Sequence, residues 1–131
     1  MNNDIIFDDI NIAPLLRAQK MFELFRQNLN SDQEKAGAIQ AFEFCFELSW
    51  RTLKRVLSKK GLDVASPRDT FRTAAQNHLL SHLEQWFDFQ LKRNLTSHTY
   101  NEATMDEVIS VLPAFSVAMQ KLIETLQLGE V

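Results

Sequence analysis

Arg93 and His98, with Tyr100 two residues further on, are the residues of this chain best suited to chemistry, because an arginine and a histidine together can handle a phosphodiester. Histidine moves a proton near neutral pH. Arginine holds a phosphate bidentately and stabilises the charge that develops on it. Cleavage of RNA through its own 2′-hydroxyl needs a proton acceptor, a proton donor and charge stabilisation, and it needs no metal. The segment that carries them, Arg93-Asn94-Leu95-Thr96-Ser97-His98-Thr99-Tyr100, is polar throughout except for Leu95. The competing explanation for it is local: a histidine closing a helix end and an arginine in a surface ion pair.

Spacing adds a constraint. On a regular α-helix, a separation of five positions rotates Arg93 and His98 roughly 140° apart, whereas Arg93 and Tyr100 share a face. Convergence of Arg93 with His98 therefore requires the helix to distort near Asn94 or a second copy of the chain to complete the site. A two-fold dimer would bring two such segments together.

The remaining chemistry-bearing residues have plainer readings. His78 follows Asn77 at an expected helix end, and His82 adjoins a serine cap at Ser81. Cys45 lies in the middle of a buried stripe, where a lone thiol is inert core. Glu47, between Phe46 and Leu48 and close to Trp50, calls for a basic partner, and Arg51 one turn on is the nearest. No histidine–carboxylate cluster has metal-ligand spacing, so no metal is expected. There is no phosphate-binding glycine loop, so no nucleotide cofactor is expected either.

Charge is unevenly spread. The net charge of −3 argues against wholesale binding of nucleic acid. Residues 48–72, however, hold seven basic and two acidic side chains, for a local +5 between two flanks of −4 each. That middle could face a short stretch of phosphate backbone, or simply neutralise its neighbours.

The elements that must position these residues read as helices. The chain has 131 residues, of which 45% are apolar and 24% charged, which suits one globular domain over residues 1–131. Three glycines and three prolines are too few for a sandwich or barrel. Ten phenylalanines point to bulky helix–helix or subunit contacts. The punctuation marks five pieces. The first spans residues 14–29, with Leu15, Leu16, Met21 or Phe22, and Phe25 on one face. A long second helix over 32–60 is opened by a capping box at Ser31 and Glu34 and stopped by Gly61. It is apolar on more than one side, as befits a central helix or a dimer interface. A short third helix over 67–77 opens on Ser66-Pro67. A fourth opens at Ser81, and a last one runs from Thr104 to Gln127, bent at Pro113. No segment alternates like a strand. The expected fold is all-α, an up-and-down bundle of four main helices and one short one, associated as a dimer. The start, Met1-Asn2-Asn3-Asp4, is not a signal sequence, and no uninterrupted apolar run reaches bilayer length, so the cytoplasm is the expected location and no membrane is expected.

Arg93, four residues, His98, one residue and Tyr100 make up an R-x4-H-x-Y string. It resembles the motif of the HEPN superfamily, and within it the HepT-like proteins, also called nucleotidyltransferase substrate-binding proteins. Phe42-Glu43-Phe44-Cys45-Phe46-Glu47-Leu48-Ser49-Trp50 with Lys54, and Ser66-Pro67-Arg68-Asp69, are similar to further blocks of that family, and the resemblance covers roughly residues 15–125. It implies a dimeric helical bundle encoded beside a minimal nucleotidyltransferase, which is its partner. In the toxin–antitoxin version it implies a metal-independent ribonuclease acting on RNA through Arg93 and His98, supported by Asn94. The nucleotidyltransferase would silence it by transferring AMP to Tyr100. The alternative is a non-catalytic subunit that presents substrate to the nucleotidyltransferase.

Overall fold

The computed structural model describes residues 4–129; Met1-Asn2-Asn3 of the polar start lie outside them. A small hairpin, β1 (Ile5–Ile6) and β2 (Ile10–Asn11), precedes six α-helices. These are α1 (Ala13–Phe25), α2 (Asp32–Lys59), α3 (Pro67–Gln76), α4 (Leu83–Leu95), α5 (Glu102–Ile109) and α6 (Leu112–Leu128), with a 3-10 turn over Thr96–His98 between α4 and α5. The all-α bundle expected from the sequence is present.

The hairpin was not expected. Two residues per strand are too few to show a period of two, yet Ile6 and Ile10 pair and are buried together. Phe7 and Asp8 turn the corner at positive φ, and the Lys59 ammonium at the end of α2 donates to the Phe7 carbonyl at 2.6 Å and to the Asp9 carboxylate at 2.5 Å.

Helix α2 is the central one. It packs against α1, α3, α4 and α5, which accounts for its apolar residues on several sides. Ser31 caps it by accepting from the Glu34 amide at 3.1 Å, while the Glu34 carboxylate reaches back to the Asn30 amide at 3.0 Å. The helix ends in a left-handed Gly61 at φ 78°, where the Leu62 amide returns to the Leu57 carbonyl at 2.9 Å, closing the last carbonyls of the helix. At α3 the Ser66 hydroxyl accepts from the Asp69 amide at 3.1 Å.

Four boundaries differ from the sequence reading. Helix α1 stops at Phe25 rather than continuing to residue 29. Its buried face is Leu15, Ala18 and Phe22, leaving Met21, Leu24 and Phe25 exposed. Ser81 does not cap α4. His82 takes the cap position in the left-handed region at φ 58°, without a side-chain cap. Helix α5 opens three residues before Thr104 could cap it, on Asn101, whose side-chain oxygen accepts from the Thr104 amide at 3.2 Å. The last helix is two helices, broken at Ser110–Val111, with Pro113 in the first turn of α6, where its missing N–H is not needed.

The core is aromatic. Phe115 of α6 meets Phe22, Phe42, Trp86 and Phe89 with ring centroids 5.4, 4.8, 5.7 and 5.1 Å away, all edge-on. The phenylalanine count is thus largely a matter of helix–helix packing within one chain. The 27-residue stretch Glu102–Leu128 is, by length and composition, apolar enough to cross a bilayer. An uninterrupted apolar run, the criterion applied to the sequence, overlooks it because polar residues are interspersed. Here Leu112, Phe115, Met119, Leu122, Ile123 and Leu126 of that stretch are buried in the protein core.

Candidate functional site

Arg93 is placed by the same periodicity that buries α4. It follows Trp86 by seven positions and Phe89 by four, both buried, so its side chain leaves α4 on the inward side and meets α2. Two acids one turn apart on α2 receive it. Nη1 lies 3.4 Å from Glu43 Oε2, and Nε lies 3.6 Å from Glu47 Oε1. Nη1 also donates to the Thr96 hydroxyl at 3.0 Å. The Nε–H is buried and has no hydrogen-bond partner, because Glu47 stays just beyond reach. The Arg93 side chain as a whole is 30% exposed, so the cluster is not sealed from solvent.

Glu47 is itself held in place. Its Oε2 accepts from the Trp50 indole at 3.1 Å and from Arg51 at 3.4 Å. The bland pairing with Arg51 is therefore present, and a second one, between helices, is added to it. Glu43 was missed in the sequence reading. The available signal was an i, i+4 pair of acids, Glu43 and Glu47, inside an otherwise apolar stretch of α2. Ion pairs this exposed contribute about 0–1 kcal/mol each, so the cluster orients the guanidinium more than it stabilises the fold.

The end of α4 is distorted, as one of the two routes to convergence required, but the distortion does not bring Arg93 and His98 together. The helix gives way after Leu95 to the 3-10 turn, which advances 120° per residue instead of 100°. Hydroxyls satisfy the carbonyls left over at this end. Thr96 donates to the Arg93 carbonyl at 2.7 Å, Ser97 to the Asn94 carbonyl at 3.5 Å, and Thr99 to the Thr96 carbonyl at 3.3 Å. The threonines and serine of the polar segment thus have a structural role after all.

The structure brings His98 and Tyr100 together, with ring centroids 6.0 Å apart and nearly perpendicular. His98 is exposed, and Tyr100 is 87% exposed. Arg93 and His98 are not brought together: among the described residues they share no hydrogen bond, ion pair or ring contact. Arg93 faces α2, and His98 faces outward. Asn94 is exposed on the α4 surface. Among the described residues no group of three His, Cys, Asp or Glu side chains converges as a metal site would require. Cys45 is buried, and that burial, reinforced by the charge of Glu23, pushes its thiol up to about 12.

Known proteins resemble this chain in sequence and fold. The family described as "Nucleotidyltransferase substrate binding protein like" matches residues 10–128. A curated relative from Haemophilus influenzae, "Probable ribonuclease HepT", is 33% identical over 97 residues. The match takes in 70% of this chain and 66% of that protein, so the chain spans just under two thirds of the relative's length. A solved Haemophilus influenzae structure, described as having the fold of a substrate binding domain of a nucleotidyltransferase, superposes with a TM-score of 0.79 at 28% identity. It covers 89% of this chain and 99% of its own. A tri-AMPylated HEPN toxin of Shewanella oneidensis, solved in complex with an MNT antitoxin, gives a TM-score of 0.75 at 19% identity, covering 89% of this chain and 93% of that one. At that identity the likeness concerns the fold.

Proposed function

Because the chain belongs to the HepT-like family of nucleotidyltransferase substrate binding proteins, within the HEPN superfamily, we propose that it is the helical partner of a minimal nucleotidyltransferase and acts as a metal-independent ribonuclease toxin. The observation that carries this reading is the R-x4-H-x-Y string at the end of α4, with His98 and Tyr100 exposed side by side after it.

The roles we assign rest on the family resemblance and on the chemistry of each side chain. Arg93, oriented by Glu43, Glu47 and Thr96, holds the scissile phosphate. His98, free in solvent, takes the proton from the RNA 2′-hydroxyl as that oxygen attacks phosphorus. The P–O5′ bond breaks, leaving a 2′,3′-cyclic phosphate, and the departing 5′-oxygen takes a proton from a second acid. A two-fold dimer supplies that second imidazole, and it also closes the gap between the inward Arg93 and the outward His98. Asn94, exposed between them in sequence, supports the substrate. Silencing uses Tyr100. Its hydroxyl attacks the α-phosphorus of ATP held by the nucleotidyltransferase, a phosphate–oxygen bond forms, and pyrophosphate leaves. The added AMP places bulk and negative charge next to His98.

The test of this pairing is incubation with the nucleotidyltransferase encoded beside the gene and ATP, read by intact mass. Addition of AMP that vanishes in Tyr100→Phe is the expected result, and no addition to either protein contradicts it. One observation favours a second reading, the non-catalytic substrate-binding subunit. The Arg93 charge is already met by two carboxylates within its own chain. That reading predicts a stable complex with the nucleotidyltransferase and no cleavage of RNA.

A further inference from the structure

Beside the site just described runs a groove of about 390 Å³ that the reading above does not use. Its floor is the outer face of α2, with Trp50, Arg51, Lys54 and Arg55, and its far wall is the start of α1 at Pro14 and Leu15. Three features set it apart. First, its cations are only partly compensated: Arg51 pairs with Glu47, the charge of Arg55 acts on the Asp9 carboxylate, and Lys54 makes no ion pair among the described residues. Second, they are gathered about an aromatic ring: the Arg51 guanidinium lies 5.2 Å and the Lys54 ammonium 6.0 Å from the Trp50 ring centroid. Third, the groove is wired to the site: the Trp50 indole donates to Glu47, whose other oxygen faces Arg93 at 3.6 Å.

We propose that this groove binds the nucleotide of an RNA strand flanking the scissile phosphate, with the base against Trp50 and the backbone phosphates on Arg51, Lys54 and Arg55. The inference rests on the ribonuclease reading. The chemistry is that of single-strand recognition generally, in which a cationic track follows the backbone and an aromatic face takes the bases. Cations alone would fit an acidic protein surface equally well. A half-buried indole set among them in a concave site fits a base better. Neighbours three and four positions apart on a helix stand roughly 5–6 Å from each other, which puts Lys54 and Arg55 each one turn on from Arg51, although as successive residues those two do not face each other. The position explains how a chain of net charge −3 holds a polyanion: the +5 segment supplies the track locally.

The test uses the full chain and a short single-stranded RNA with 2′-O-methyl groups, which binds but cannot be cut through its 2′-oxygen. Of the two tryptophans, Trp86 is buried at 1% exposure and Trp50 is not, so quenching of fluorescence on binding reports Trp50. Wild type is expected to bind with quenching. Trp50→Leu should lose the quenching and bind about tenfold more weakly. Lys54→Gln with Arg55→Gln should flatten the log–log salt dependence by roughly 1.4, at about 0.7 per phosphate contact on a single strand. Equal affinity and equal salt slope in all these variants would overturn the assignment. Equally tight binding of AMP or ATP would mean a free-nucleotide site instead, and variants that bind RNA normally but fail to join the nucleotidyltransferase would give the groove to that protein. If wild type binds in this way yet leaves unmodified RNA intact, the ribonuclease reading fails while the groove assignment stands.

Discussion

Thr96→Val tests how the fold and the candidate site are joined. Thr96 is buried, at 8% exposure, where α4 passes into the 3-10 turn. Its hydroxyl does two things at once: it accepts from Arg93 Nη1 at 3.0 Å and donates to the Arg93 carbonyl at 2.7 Å. Valine keeps the shape and removes both bonds. A neutral hydrogen bond contributes about 0.5–1.5 kcal/mol net, and one to a charged group about 1.5–3 kcal/mol. The guanidinium is partly open to water, which replaces some of what is lost, so the expected loss is about 1–2 kcal/mol. For a domain of this size that lowers Tm by roughly 3–10 °C. The assay is thermal and urea unfolding of wild type, Thr96→Val and Thr96→Ser, with the m-value checked for constancy. Serine retains the hydroxyl and should recover most of the loss. Catalysis should fall further than stability in the valine variant, because the guanidinium loses one of the groups that orient it, and a small misplacement of a catalytic group can cost up to about 10²-fold. A valine variant that melts with wild type, or a serine variant as damaged as valine, would refute the reasoning.

Other consequences are equally direct. Phe115→Ala removes the ring at the centre of the aromatic cluster and should cost about 3–5 kcal/mol in urea unfolding; a cost below about 2 kcal/mol would mean the core closes around the gap. Cys45, with its thiol pushed up to about 12 by burial and by Glu23, should resist alkylation at pH 8 in the folded chain and react promptly once it is unfolded. Burial pushes the Glu23 carboxyl up, but hydrogen bonds from Arg26 and Ser116, with the Arg26 charge, outweigh it and hold the group below its usual value of 4.5. A depressed carboxylate contributes stability that is present above the unfolded value and is lost as the pH falls through the folded one. Ser116→Ala, which removes a link between α1 and α6, should therefore destabilise the chain at pH 7 and matter less below about pH 4; an equal effect at both pH values would contradict it.

How much of this was legible in the sequence varies by element. The bounds of α2 and α3 were readable because Ser31, Gly61 and Ser66-Pro67 are local signals with local causes. The starts of α4 and α5 were not, because each has a competing cap nearby. Ser81 loses to a left-handed His82, and Thr104 loses to Asn101, whose side chain accepts from the Thr104 amide. The hairpin was invisible because its stability comes from burying isoleucines against the helices and from Lys59, not from its own pattern. At the site, the angular mismatch between Arg93 and His98 called for a distorted helix or a second chain if the two converge; the helix does give way after Leu95, yet within one chain the two side chains stay apart. The acids that receive Arg93 could not be found from the segment itself, since Glu43 and Glu47 lie about fifty residues earlier and meet it only through packing of α4 on α2.

The most direct measurement of the central claim is cleavage of a labelled RNA by purified wild type, Arg93→Ala and His98→Ala in parallel, with chelator present throughout. The account predicts cutting by wild type to products ending in a 2′,3′-cyclic phosphate, and none by either variant although both fold. Equal cleavage by all three would mark a contaminant, and intact RNA in every lane, from a wild type free of AMP, would contradict the catalytic role of Arg93 and His98.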